Sequence, residues 1–166
     1  MPVTISGTTG VDLIKDGTVV QADLGVNVAG TGPAFSAYPS IAQSISTAFA
    51  KIAWQNKEFD PTSAFDAVTN YRFQPTVPGY YLVSGSVYFG NVSTLTVVAI
   101  YKNGAEARRG MQVAGAGATN NSIVSALIQF NGSTDYVELW ASSASTQNTN
   151  PASFLSYFQG YLARSA

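Results

Sequence analysis

Residues 95–104 have the sequence LTVVAIYKNG, and this stretch decides the fold class. Its first eight residues are apolar on both faces, which is typical of an inner strand of a β-sheet. It ends in Asn103-Gly104, the strongest short signal for a two-residue β-hairpin turn. The stretch therefore predicts a buried strand followed by a tight reversal of the chain.

The segments around it repeat this pattern of strand and turn. Residues 80–89 alternate, with Ser84 and Ser86 on the face opposite Val83 and Val87. A second turn signal, Asn131-Gly132, follows another apolar run. The predicted strands are residues 80–89, 95–102, 122–130, 135–141 and 154–163. Strands at this spacing, without helices between them, predict an all-β protein built as a sandwich or barrel.

One segment has a different periodicity. Ile41, Ile45 and Phe49 are four residues apart, and Ser, Thr and Gln fill the gaps between them. This spacing fits one face of a helix, and Pro39 could open it. We therefore expect a short helix or helical turn within residues 39–50.

The N-terminal part differs from the rest of the chain. Short β-prone runs at residues 3–5, 11–14 and 18–20 are separated by glycines, and a Gly-rich stretch with Pro33 follows them. We interpret residues 1–25 as a β-rich attachment segment, residues 26–33 as a linker, and residues 34–166 as one head domain.

Composition excludes several classes of function. Only 10% of the 166 residues are charged and the net charge is −1, so the chain lacks the basic surface that a nucleic-acid-binding protein uses against phosphates. It contains no Cys and no His, which excludes disulfides, zinc ribbons, thiolate nucleophiles and a Ser-His-Asp triad. Neither a secretory signal nor a membrane-spanning apolar stretch is evident, so we expect synthesis in the cytoplasm without export through a signal peptide.

A series of short motifs resembles the globular head of complement component one-q, whose jelly-roll fold is shared with tumour necrosis factor. The matching segments, in chain order, are Pro33-Ala34-Phe35-Ser36-Ala37, Phe59-Asp60 with Phe65-Asp66, the run from Tyr71 to Tyr81, Tyr101-Lys102-Asn103-Gly104, Asp135 to Leu139, and Ser153-Phe154 with Phe158 to Leu162. The resemblance covers the C-terminal 130 residues or so and implies a jelly-roll β-sandwich that forms a homotrimer.

The opening residues VTISGTTG resemble the short β-rich segments of bacteriophage tail fibres. Together the two resemblances imply a phage or prophage virion protein: a tail fibre, tail tip or head decoration. The leading hypothesis is a non-enzymatic head that binds a bacterial surface receptor, with glycan as the expected ligand. The alternative is a structural trimer, a spacer, plug or decoration, that touches no receptor.

Two sets of residues are candidates for binding. Aromatic residues on both faces of the strands predict a subunit interface that contains Tyr80, Tyr88, Tyr136, Tyr157 and Tyr161. The uncharged polar stretches 119–122 and 143–150 are interpreted as loops at one end of the sandwich, with Asn120, Asn121, Gln147 and Asn148 as receptor-binding side chains and Trp140 available for stacking. Core filling is expected of Phe59, Phe73, Phe89, Phe130, Phe154 and Phe158.

Carboxylates are the remaining candidates for chemistry. Asp60 and Asp66 share a predicted loop, where an Asp usually bonds its own turn, and Asp135 and Glu138 would point to opposite faces of a strand. Calcium at the Asp60 and Asp66 loop is an alternative, but no third acid is evident nearby. We predict neither catalysis, a cofactor nor a metal, and we interpret Arg108-Arg109 as a solvated strand end.

Overall fold

A computed structural model describes residues 32–92, 94–114 and 118–166, and these form a β-sandwich without a helix. The attachment segment 1–25 and residues 26–31 of the linker lie outside the described residues. The strands are β1 (Ala34–Tyr38), β2 (Ser44–Ile45), β3 (Ala50–Lys51), β4 (Asn56–Phe59), β5 (Phe65–Asp66), β6 (Arg72–Phe73), β7 (Gly79–Val92), β8 (Leu95–Lys102), β9 (Ala105–Arg109), β10 (Val113–Ala114), β11 (Ala118–Phe130), β12 (Val137–Ser143), β13 (Gln147–Asn148) and β14 (Tyr157–Ser165). The prediction of an all-β sandwich is confirmed.

Two antiparallel sheets form the sandwich. The five-stranded sheet has the order β11-β7-β14-β1-β4. The seven-stranded sheet has the order β10-β8-β12-β6-β5, with β3 added beside β12 and β9 beside β8. Strand β7 lies between β11 and β14 and pairs with β11 from Gly79 to Val92. The strands predicted from residues 80–89, 95–102, 122–130 and 135–141 therefore all form, and each is central to a sheet or long within it.

Stacked phenylalanines fill the space between the sheets. The ring of Phe35 lies 4.3 Å from that of Phe73 and 4.9 Å from that of Phe65, both nearly parallel, and Phe158 meets Phe35 edge-on at 5.0 Å. These rings come from β1, β5, β6 and β14, so the cluster joins the two sheets. Six phenylalanines were expected in the core, and for two of them the prediction is wrong. Phe59 is 51% exposed and Phe154 is 82% exposed.

The helix expected within residues 39–50 does not form. Ile45 is fully buried whereas Ile41 is 64% exposed, so the apolar stripe does not share one face. The segment instead pairs with the chain near residue 148 through β2 and β13. The Gln43 side chain bonds backbone groups that directly follow this segment. Its amide donates to the Lys51 carbonyl and accepts from the Ala53 N–H. Long-range pairing satisfies this backbone, and local periodicity does not reveal such pairing.

Residues 32 and 33 already pack on the head. The Pro33 carbonyl accepts a hydrogen bond from the Leu162 N–H, and a Cβ on Gly32 would lie 2.3 Å from the Leu162 side chain. Across the described residues no helix is long and apolar enough to span a membrane.

Gly132 provides a test of the turn that joins β11 to β12. Its φ is +72°, and an added Cβ would lie 2.5 Å from the Pro78 nitrogen. Replacing Gly132 by Ala should lower the free energy of unfolding by at least about 1–3 kcal/mol, because it adds both backbone strain and a clash. Urea denaturation measures the loss.

Gly90 is the matched control, since a Cβ there meets no atom within 4 Å. Its replacement by Ala should change stability by less than about 0.5 kcal/mol. Equal stability of the Gly132→Ala and Gly90→Ala proteins would contradict the described turn.

Candidate functional site

The outer face of the five-stranded sheet is apolar along its middle. On β7, Tyr81 and Val83 point into the core, so Tyr80, Leu82 and Ser84 point outward. In register across the sheet, Leu127 pairs with Leu82, Leu82 with Tyr161, and Tyr161 with Ala34. These four residues define the apolar row.

Large side chains on this outer face remain exposed. Leu127 is 55% and Tyr161 is 51% exposed, and Ile123, Phe59 and Tyr80 are exposed beside them. The next row across the sheet, Ser125, Ser84 and Gln159, is polar but carries no charge. A shallow cavity of about 210 Å³ opens on this face, lined in part by Phe59, Leu82 and Tyr161. A contiguous exposed apolar surface of this kind marks an interaction site.

The structure separates the five tyrosines that were expected to share one interface. Tyr80, Tyr88, Tyr157 and Tyr161 lie on β7 and β14, on the outer face of the five-stranded sheet. Tyr136 does not: it precedes β12 in the other sheet, and the Arg72 guanidinium lies 4.3 Å from its ring centroid. The turn after Phe130 carries the chain to the opposite sheet, so Tyr136 does not share a face with the other four, and its place in a subunit interface stays a prediction.

Residues 119–122 are part of a strand, contrary to the predicted loop. They lie in β11, so Asn120 and Asn121 point to opposite faces. Asn120 is only 7% exposed, whereas Asn121 is exposed and its amide oxygen accepts a hydrogen bond from the Ser86 hydroxyl at 2.6 Å. Polar character alone was a poor guide to this segment, because the end of this sandwich is lined with buried polar side chains such as Thr96 and Ser122.

The two polar stretches do lie at the same end of the sandwich. Asn120 pairs with Phe89 on β7, and Phe89 also bridges to Thr149. The turn after Phe130 lies at the other end, because Phe130 pairs with Gly79. That part of the prediction is confirmed. A receptor-binding role for these residues stays a prediction.

Gln147 and Asn148 form β13, which pairs with Ile45 and Ser44. Asn148 is exposed, and the Gln147 amide donates to the Ser145 hydroxyl. Trp140 lies in the middle of β12, within the strand predicted from residues 135–141, and its use for stacking on a ligand stays a prediction. Its ring stacks on Tyr101 at 4.6 Å, and its indole N–H donates to Glu138.

Each candidate carboxylate has a local structural role. Asp60 accepts hydrogen bonds from the Ala64 and Phe65 N–H groups and pairs with Lys57 at 2.9 Å. Asp135 pairs with Lys102 at 2.8 Å, and Glu138 is buried beside Lys51 at 3.0 Å.

Asp66 is the most strongly held of these groups. Its oxygens accept bonds from the backbone N–H groups of residues 68, 69 and 70, so it bonds its own turn as expected. The bonds from Thr69 and Val68 lower its pKa from 3.8 to about 2. Within the described ranges, no three acidic side chains are grouped so as to hold a metal ion.

The Arg108-Arg109 pair lies on the edge strand β9. Arg109 forms a bidentate ion pair with Glu106, at 2.6 and 2.7 Å, and Arg108 donates to the Ala107 carbonyl. This is the solvated strand end that the sequence predicted.

Comparison with known proteins identifies the fold. No protein-family model matches the chain, and no curated protein matches it. Solved structures do match. The globular domain of zebrafish complement 1qA is 13% identical, with a TM-score of 0.63 over 81% of this chain and 98% of that one. Murine APRIL at pH 5.0 is 12% identical, with a TM-score of 0.60 over 78% and 98%. Eiger TNF from S. frugiperda is 13% identical, with a TM-score of 0.60 over 80% and 93%.

The chain therefore has the jelly-roll β-sandwich of the complement one-q and tumour necrosis factor type. This confirms the fold expected from the motifs between Pro33 and Leu162. At these identities the likeness shows the fold and not the biological role.

Tyr80 and Tyr161 on this face were identified from the sequence, whereas the aliphatic residues Leu82, Ile123 and Leu127 were not, although a signal existed. In residues 122–130, Ile123 and Leu127 are apolar on one face while Val124 and Ile128 are apolar on the other. A strand that is apolar on both faces must be covered twice. The sandwich supplies one cover and leaves the other face free.

The Asp66 turn leads to a prediction about stability against pH. Because its pKa is lower in the folded protein than in the unfolded chain, Asp66 stabilises the fold above about pH 4, and this contribution is lost as the pH falls toward 2. Replacing Asp66 by Asn should cost about 1–2 kcal/mol at pH 7, because two N–H donors would then face the new amide. The difference from the wild type should vanish near pH 2.

Thermal unfolding at a series of pH values measures this difference. Replacing Thr69 by Ala is the control, because it keeps the backbone N–H and should have no pH-dependent effect. A constant gap between wild type and Asp66→Asn across pH 2–7 would contradict the assignment.

Proposed function

We propose that this protein is a non-enzymatic, homotrimeric binding head of a bacteriophage virion. The observation that carries the proposal is the exposed, uncharged apolar surface on the outer face of the five-stranded sheet, centred on Leu82 and Tyr161. Such a surface is stable in water when another copy of the chain covers it. The resemblance of the motifs to the complement one-q head favours three copies.

The virion setting rests on the sequence. The opening residues resemble phage fibre segments, and the absence of Cys together with a polar, uncharged composition suits a particle released by lysis. The head would engage a glycan on the bacterial surface, and three copies would give avidity from individually weak sites. The exposed Asn121 and Asn148 side chains are candidates for such contacts. A structural role in the virion without receptor binding is the second function.

Trimer formation can be tested on the apolar row. Replacing Leu127 and Tyr161 together by Glu should yield folded monomers of 17.4 kDa, because two carboxylates would be desolvated at the interface. Both side chains are more than half exposed in the single chain, so each monomeric head should remain folded. Native mass spectrometry of the full chain at micromolar concentration measures the assembly.

Val68→Glu is the matched control, since Val68 is 82% exposed on the turn between β5 and β6 and its variant should remain trimeric. A wild-type protein that is monomeric under these conditions would refute the assembly. So would a trimer that survives both Glu substitutions.

Receptor binding can be separated from the structural alternative. The labelled full chain should bind intact host bacteria. Replacing Asn121, Gln147 and Asn148 together by Ala should reduce that binding at least about tenfold while the protein stays trimeric. Asn120 is left in place because it is buried. Absence of binding by the wild type to any strain that the phage infects would favour the structural role.

A further inference from the structure

A second polar cavity lies on the other side of the molecule, beside the β5–β6 hairpin. Its volume is about 270 Å³, and it opens to solvent. The polar lining residues are Ser63, Asp66, Arg72, Gln74, Thr76 and Ser133. Strands β5 and β6 belong to the seven-stranded sheet, so the cavity is separate from the apolar row on the five-stranded sheet. Trimers formed through that row would leave it open.

Arg72 is the distinctive group in this cavity. Its guanidinium lies 4.3 Å from the Tyr136 ring centroid, which holds the planar group by a cation–π contact. Among the described residues, no carboxylate lies within 4 Å of it and no protein oxygen accepts its N–H groups. Five donors in a fixed fork are therefore presented without a protein partner.

Asp66 explains why Arg72 is left unpaired. The two residues are direct cross-strand partners in the β5–β6 pairing. The Asp66 carboxylate nevertheless turns toward its own turn, where it accepts bonds from the Val68, Thr69 and Asn70 N–H groups and from the Asn70 amide. The cavity thus contains one cation and one anion, and their charges balance. This balance favours a neutral ligand over an anion.

The remaining groups add acceptors and hydroxyls. The Gln74 amide nitrogen donates to the Ser133 carbonyl at 2.9 Å, which orients the amide so that its oxygen is the end without a described donor. Ser63, Thr76 and Ser133, each of which carries a hydroxyl, line the same space. Ser63 before β5 and Tyr71 immediately before β6 both have positive φ, +54° and +50°, a conformation that residues other than Gly adopt infrequently.

We propose that this cavity binds one neutral sugar ring of a saccharide. The parallel N–H groups of Arg72 donate to two adjacent sugar hydroxyl oxygens, and the Gln74 amide oxygen accepts from a sugar hydroxyl. The volume lies just below the range of ordinary small-molecule pockets, which suits a single ring. This inference rests on the proposed binding function and places a sugar site at the end of the head opposite Asn121 and Asn148.

The experiment uses the full chain and immobilised polysaccharides as probes: neutral glucan, galactan, mannan and rhamnan, and acidic polygalacturonate. We expect binding to at least one neutral polysaccharide that changes little between low and high salt, since no net charge is neutralised. Arg72→Gln and Gln74→Leu should each weaken that binding at least about tenfold. Arg108→Gln removes the same charge from an exposed strand end and should leave it unchanged.

A measurement on the wild type avoids dependence on variant folding. Addition of the neutral saccharide that binds should shift the NMR signals of the Gln74 side-chain amide and the Arg72 guanidinium. Shifts confined to Asn121, Gln147 and Asn148 would overturn the inference and leave the proposed function standing.

The other outcomes also separate the two proposals. Binding to polygalacturonate alone, lost at high salt, would overturn the neutral-sugar inference in favour of an anion site. Equal polysaccharide binding by the Arg72→Gln and Arg108→Gln proteins would overturn it as well. Binding to bacteria without binding to any neutral polysaccharide would overturn only this inference. Absence of both would overturn the receptor function too.

Discussion

Strand β7 imposes the constraint on which the rest of the structure depends. Side chains of a strand alternate between two faces, and β7 carries apolar groups on both of them. Tyr81 and Val83 need the core, whereas Tyr80 and Leu82 face away from it. One layer of packing cannot cover both sets. The seven-stranded sheet covers Tyr81 and Val83. Tyr80 and Leu82 are left to be covered by a partner outside the monomer.

The two sheets differ in the charge on their surfaces, and this difference fits the same constraint. The seven-stranded sheet carries paired charges on its surface, among them Lys51 with Glu138 and Glu106 with Arg109. The apolar row and the polar row beside it on the five-stranded sheet carry none. These two rows avoid the desolvation cost that ion pairs meet at an interface. Association through the five-stranded sheet would thus leave the other sheet and both ends of the sandwich in contact with solvent.

Patterns that depend on near neighbours were readable in the sequence, and those that depend on distant partners were not. The turn at Asn103-Gly104 forms because both residues adopt positive φ, +53° and +80°, and this is a local property. The role of Gln43 depends on Thr149 and Lys51, so residues 39–50 gave a helical pattern without a helix. Tyrosines 80, 157 and 161 were identified as surface aromatics by alternation. The position of Tyr136 depends on which sheet the chain joins after Phe130, and alternation does not show this. The cavity at Arg72 was not predicted either, because it assembles from residues 63 to 133.

Electrostatics explains why the Arg72 cavity differs from the rest of this surface. The protein has few charges, and at most sites a carboxylate is satisfied locally, by Lys102 at Asp135 or by the turn N–H groups at Asp66. A carboxylate saturated by its own turn can no longer hold the arginine opposite. The guanidinium then makes a cation–π contact with the Tyr136 ring, which takes up none of its N–H groups. An arginine with this contact is positioned and still able to donate, which is the property that a sugar-binding site requires.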